Sequence, residues 1–261
     1  MAYAGMVLRL LAAVATVALL DCARPAPAAP PERLRVDVVA RHPHQRDAFT
    51  QGLVHVDGVL YESTGLEGRS SLRMVDPASG AVAKQVRLPA PLFGEGLAHA
   101  NGLLYQLTWK NGRALVYDAA TLAPVREHRY EGEGWGLAFD GTHLLMTDGS
   151  AVLQFRDPRT FDLVTTRTVT LDGKPKDRLN ELEHVDGALY ANVWNEERIL
   201  RIDPATGVVT GVVDASGLLA AHERAGTDVL NGIAHNPARG VFYLTGKLWP
   251  WVFEVRFVPA Q

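Results

Sequence analysis

The stretch TQGLVHVDG at Thr50–Gly58 is rewritten as GEGLAHANG at Gly94–Gly102, with the first polar side chain exchanged. The same phrase returns as Trp135-Gly136-Leu137, Asn180-Glu181-Leu182 and Asn231-Gly232-Ile233. With Gly52, Gly96, Gly136, Glu181 and Gly232 taken as equivalent, the steps are 44, 40, 45 and 51 residues. Internal periods of that length belong to β-propeller blades rather than to the shorter helical repeats.

Each copy runs on through a turn into a second β-prone segment. Asp57-Gly58, Asn101-Gly102, Asp140-Gly141 and Asp186-Gly187 accept the positive φ angles of tight hairpins, and the fifth copy has the longer HNPARG instead. Third segments such as SLRMVDP and ILRIDPA leave through a second turn, and a fourth such as AVAKQVRL closes every copy except the last. The chain ends at Gln261 before a fourth strand of copy five. The segment LRVDVVARH, Leu34–His42, precedes copy one and is expected to supply it, closing the ring and removing open sheet edges. The pattern therefore predicts an all-β fold, a five-bladed β-propeller over residues 33–261, with one short surface helix at GLLAAHERAG, Gly217–Gly226.

Residues 1–28 read as a signal peptide: Arg9 precedes an apolar run from Leu10 to Leu20, too short for a membrane span, and APA at Ala26–Ala28 offers a cleavage site. Export to the periplasm or medium is expected. Cys22 also fits a lipid-anchoring signal, although Asp21 stands where such signals want a small residue. The net charge is −3, and −4 once Arg9, Arg24 and Asp21 are removed. That balance argues against nucleic acid or anionic lipid as the main partner.

In a hairpin, the start of the first strand lies beside the end of the second. Gln51, Glu95, Trp135, Asn180 and Asn231 should therefore gather at one mouth of the ring with Trp109, Asp148, Trp194 and Lys247. Repeats broken by unlike polar and aromatic residues at one mouth are what a binding site requires. His55, His99, His184 and His235, with Phe139 in the remaining copy, recur towards the hairpin turn and read as packing positions rather than zinc ligands. No HExxH, CxxC, GxSxG or carboxylate-rich calcium loop is present.

AFTQGL, FGEGL, LTW, GWGLAFDG, LNELE, NVW and LNGIAHNPARGVFYLTGK, in this order from Arg41 to Phe257, together resemble the glutaminyl-peptide cyclotransferases of plant and bacterial type. The resemblance implies a five-bladed propeller that cyclises N-terminal glutamine of peptides and proteins to pyroglutamate, releasing ammonia and using no cofactor. A structural ion on the ring axis is compatible with it. It carries site roles onto Phe49, Gln51, Phe93, Glu95, Trp109, Trp135, Asn180, Trp194 and Lys247. Glu95, the only acid among the varied strand starts, is then expected to move the proton, with Lys247 and the Asn180 or Gln51 amide on the developing oxyanion. The aromatic residues would wall the pocket, with few obvious pockets beyond it, and a monomer is expected. Two other readings fit the same mouth: a non-catalytic peptide-binding propeller, and a metal-dependent propeller lactonase or hydrolase.

Overall fold

A computed structural model describes Met1 and residues 29–260; the expected signal segment with Cys22 lies outside the described residues. Strand β1 (Glu32–Pro43) precedes β2 (Thr50–Val56), β3 (Val59–Thr64), β4 (Ser71–Val75) and β5 (Val82–Arg87). Next come β6 (Gly94–Ala100), β7 (Leu103–Thr108), β8 (Arg113–Asp118) and β9 (Pro124–Arg129), then β10 (Leu137–Phe139), β11 (Leu144–Met146), β12 (Val152–Arg156) and β13 (Leu163–Thr168). A small hairpin of β14 (Thr170–Leu171) and β15 (Lys174–Pro175) leads to β16 (Leu179–Val185), β17 (Ala188–Val193), β18 (Arg198–Asp203) and β19 (Val208–Asp214). The last strands are β20 (Leu230–Asn236), β21 (Val241–Gly246) and β22 (Trp251–Pro259).

The first three repeats each form a four-stranded antiparallel sheet in sequence order. The last two share one sheet, in which β1 joins β19 to β22. As the sequence predicts, β1 runs antiparallel to β22, from Leu34 opposite Pro259 to Pro43 opposite Trp251. It also runs parallel to β19, pairing Glu32 to Arg35 with Gly211 to Asp214, which the repeat pattern does not foretell. Each first strand packs on the next in the order β2, β6, β10, β16 and β20, and β20 returns to β2.

Hydrophobic cores lie between successive sheets: Val54, Tyr61 and Leu72 against Leu97, Leu104 and Leu122, for example, and Leu53 and Leu60 against Ala234 and Tyr243. Asp57-Gly58, Asn101-Gly102 and Asp186-Gly187 have positive φ at both residues, as tight hairpins require. Asp140-Gly141 does not. Only Gly141 is left-handed, and Asp140 Oδ1 accepts from the amides of Thr142 and His143, a wider Asx-type turn between strands of three residues each.

The expected helix shrinks to a single 3₁₀ turn, Ala221–Glu223. Gly217 and Gly226 are left-handed and Ala220 is extended, so too few helical residues remain between them. Side chains hold this segment instead: Glu223 accepts from the Ala220 amide and from Trp251 Nε1, and Arg46 donates to the carbonyls of Glu223 and Ala225.

A buried ion pair fastens the region where β1 delivers the chain to the first sheet. His44 Nε2 lies 2.8 Å from Glu62 Oε1, which also accepts from Thr50 Oγ1, while His44 Nδ1 lies 2.9 Å from the Trp249 carbonyl. Burial alone would push the His44 imidazole down and the Glu62 carboxyl up. Their mutual attraction reverses both, raising His44 above 6.5 and lowering Glu62 below 4.5. The raised histidine contributes stability that is full below 6.5 and fades as pH rises through its folded pKa. The lowered carboxyl contributes stability that is full above 4.5 and fades as pH falls through its folded pKa. Glu62→Gln is therefore expected to cost about 3–5 kcal/mol in urea unfolding near pH 6. The deficit should shrink towards both acid and alkaline pH; a deficit independent of pH would contradict this role of the pair.

Candidate active site

The varied residues are aimed by breaks in strand register. Pairing of β2 with β3 jumps between Thr50 and Gly52, of β6 with β7 between Gly94 and Leu97, of β16 with β17 between Leu179 and Leu182, and of β20 with β21 between Leu230 and Ile233. Gln51, Glu95, Asn180 and Asn231 sit at these bulges, which turn a side chain out of the ordinary alternation. The neighbouring glycine is fixed by crowding. A Cβ on Gly136 would lie 1.9 Å from the Asn180 carbonyl oxygen, and one on Gly96 would lie 2.5 Å from that of Trp135. Glu181, in the glycine position of the fourth copy, escapes this crowding by reaching across the ring: its carboxylate accepts from the amides of Leu53 and Ile233.

One cavity of about 420 Å³ is lined by Phe49, Gln51, Phe93, Glu95, Trp109, Trp135, Asn180, Trp194 and Lys247, joined by Asn195 and Asp228. Its walls are aromatic. Phe49, Phe93 and Trp109 form an edge-to-face chain with centroids 6.1 and 5.6 Å apart, and Trp135 meets Trp194 edge to face at 5.7 Å. Glu133 fastens the two sides together: one of its oxygens accepts from Trp109 Nε1 at 2.7 Å and Trp135 Nε1 at 3.0 Å.

The polar groups converge below these rings. Glu95 is 5% exposed and accepts from Gln51 Nε2 at 2.9 Å; Asn231 Nδ2 donates in turn to Gln51 Oε1 at 3.2 Å. Burial pushes the Glu95 carboxyl well above the carboxylate range; nearby Lys247 opposes this and Glu133 adds to it. Burial likewise lowers the Lys247 ammonium, against the attraction of Glu95 and Asp228. Lys247 Nζ lies 4.9 Å from the centre of the Phe49 ring. Asn180 is 3% exposed, and its Oδ1 is sealed from solvent with no partner among the described residues. The cavity thus offers a carboxyl with a raised pKa, a buried cation and the Asn180 side chain within one apolar enclosure, the equipment of general acid–base chemistry on a small polar group.

All nine residues named from the sequence meet here, and two of the wider set do not. Asn231 is fully buried behind Gln51. Asp148 turns away to its own loop, where it accepts from Ser150 and Gln154. The sequence reading missed Glu133, Asn195 and Asp228. Glu133 stands two residues before Trp135 in EGEGWG, a spacing that signals nothing until Trp109 is seen beside it. The repeated histidines sit at packing positions, with His55 5.5 Å from the Tyr243 ring and His235 4.9 Å from the Phe242 ring. They are half-buried, and His55 and His99 line a separate cavity near the hairpin turns with Asp57, Asn236 and Arg239. Among the described residues no group of three or more His, Cys, Asp or Glu is placed to hold a metal ion.

Comparison with known proteins gives concordant matches. The pattern of the family described as glutamine cyclotransferase matches residues 10–257. The chain is 38% identical over 232 residues to the glutaminyl-peptide cyclotransferase of Arabidopsis thaliana, covering 87% of this chain and 72% of that protein. The crystal structure of Myxococcus xanthus glutaminyl cyclase superposes with a TM-score of 0.81 at 41% identity, covering 88% of this chain and all of that one.

Proposed function

This chain belongs to the glutamine cyclotransferase family, and from that premise we propose that the aromatic cavity is where its glutaminyl-peptide cyclotransferase activity takes place. The enzyme converts an N-terminal glutamine to pyroglutamate with release of ammonia. In that reaction the α-amine gives up a proton, attacks the side-chain amide carbon, and the amide nitrogen departs as ammonia. The observation that supports the site is the burial of Glu95 beside Lys247 under a wall of rings. A buried carboxyl whose pKa is raised above the ordinary carboxylate range can both accept the proton of the attacking amine and return it to the leaving nitrogen. Lys247 supplies positive charge for the carbonyl oxygen as it becomes negative.

One role differs from that expected from sequence. Gln51 spends an amide hydrogen on Glu95, so it positions the carboxyl rather than acting chiefly on the oxyanion. Asn180 Oδ1 is sealed from solvent, so the atom of that amide left available to substrate is the donor Nδ2, in keeping with the oxyanion role expected from sequence. The aromatic walls hold the glutamine side chain folded back on its amine and keep water out.

The architecture belongs to the same proposal: five blades whose first strands line the axis, with β1 completing the last. The contacts from β2 round to β20 and back support that count. Export through the leader at residues 1–28 remains part of the reading, and the N-terminus of the secreted protein tests it. The function is tested by incubating the purified protein with a Gln-initiated peptide and following ammonia together with the pyroglutamyl product. A peptide that is bound but not converted would leave a binding protein and no enzyme. Because the residues themselves supply the proton shuttle and the cation, activity is expected to persist after exhaustive chelation. Loss with EDTA and recovery with zinc would overturn this.

A further inference from the structure

A second cavity, of about 360 Å³, opens between the turn after β17 and the segment that follows β19. Asn195 and Asp228 line both it and the aromatic cavity, so the two adjoin at these residues. Its floor is apolar, made by the buried side chains of Leu219, Leu230 and Trp249.

The acids around it are not equivalent. Glu196 is engaged by Lys176, Arg178 and Arg198, and Glu197 by Arg224 at 2.8 Å. Asp228 has no cation within salt-bridge distance among the described residues, although Lys247 lies near enough to feel its charge. The wall is built rather than incidental: Trp249 Nε1 donates to the Asp228 carbonyl, the Asp228 amide donates to the Lys247 carbonyl, and Thr227 Oγ1 donates to the Arg224 carbonyl.

Resting on the cyclase reading above, we propose that this second cavity receives the residue following the N-terminal glutamine, and that Asp228 makes it favour a lysine or arginine there. A peptide whose first side chain is folded against Glu95 and Lys247 must leave the aromatic cavity through its rim, and the rim at Asn195 and Asp228 opens onto this space. A long basic side chain suits both parts of it, laying its methylenes on the apolar floor while its charged end reaches the unpaired carboxylate. Asp228 is exposed, so the preference is graded rather than absolute.

The test compares kcat/KM for Gln-Lys-Ala-amide, Gln-Glu-Ala-amide and glutamine amide. The lysine peptide is expected to exceed the glutamate peptide by about three- to tenfold at low salt, with the gap narrowing in high salt. Asp228→Asn should bring the two within about twofold, the size of a weak surface charge effect. Thr227→Trp, which fills the cavity, should lower both tripeptides relative to glutamine amide. Equal rates for the two tripeptides in the wild type, a preference that survives Asp228→Asn, or a Thr227→Trp effect equal on all three substrates would each overturn the proposal. Failure of every substrate to release ammonia would sink the cyclase reading itself, and this inference with it.

Discussion

Replacing Glu95 by glutamine is expected to lower kcat by about 10³- to 10⁴-fold, the upper part of what one general acid–base group contributes, with a much smaller change in KM. The amide matches the carboxyl in shape, so the bulge and the cavity should keep their form. Gln51 Nε2, which donates to Glu95 Oε1 in the parent, can donate to the new amide oxygen in the same way. What disappears is the ability to take a proton. The α-ammonium then stays masked and the departing nitrogen is not protonated, so one change blocks both halves of the reaction. Circular dichroism and thermal melting should match the parent. A variant keeping more than about a tenth of wild-type kcat, far short of the usual range, would remove Glu95 from this role. Attention would then pass to Glu133 or Asp228 at the same cavity, since Asp148 is turned away from it.

Deleting Leu34–His42 is expected to abolish cooperative folding. This strand pairs with β22 along nearly its whole length and with β19 at its start, so its loss opens two strand edges in the centre of one sheet. Buried Leu34 leaves the core that holds Phe253 and Val255, and His44 loses the strand that leads the chain to Glu62. The stability of a whole domain is only about 5–15 kcal/mol, and losing a central strand exceeds what that margin tolerates. The expected result is aggregation or a non-cooperative urea transition for the entire chain. A truncated protein that unfolds with the midpoint and slope of the parent would show that closure lies elsewhere.

The sequence revealed the repeat because crowding at the inner strands enforces it. Gly96 and Gly136 each face a neighbouring carbonyl, and the residue before each of them is released into the cavity, so constancy and variation alternate along one short phrase. It could locate Gln51, Glu95, Trp135 and Asn180 for the same reason. Partners that depend on which loops meet were not legible. Glu133 acquires meaning only through two indoles 24 and 2 residues away in the chain, and Asp228 only because its backbone clasps that of Lys247. Asn231 satisfies the repeat pattern as well as Glu95 does, yet it lies behind Gln51 and supports it. The parallel contact of β1 with β19 was hidden because no local pattern records pairing between strands from different repeats.

The most direct measurement is a crystal structure of the Glu95→Gln variant with a Gln-initiated peptide bound. The N-terminal residue should lie between the Phe49–Phe93–Trp109 wall and the Trp135–Trp194 pair. Its α-nitrogen should be within hydrogen-bond reach of side chain 95, its side-chain carbonyl oxygen should face Lys247 Nζ, and the chain should leave past Asn195 and Asp228. A peptide whose first residue sits outside this cavity, for instance at the opposite mouth beside His55 and His99, would contradict the account.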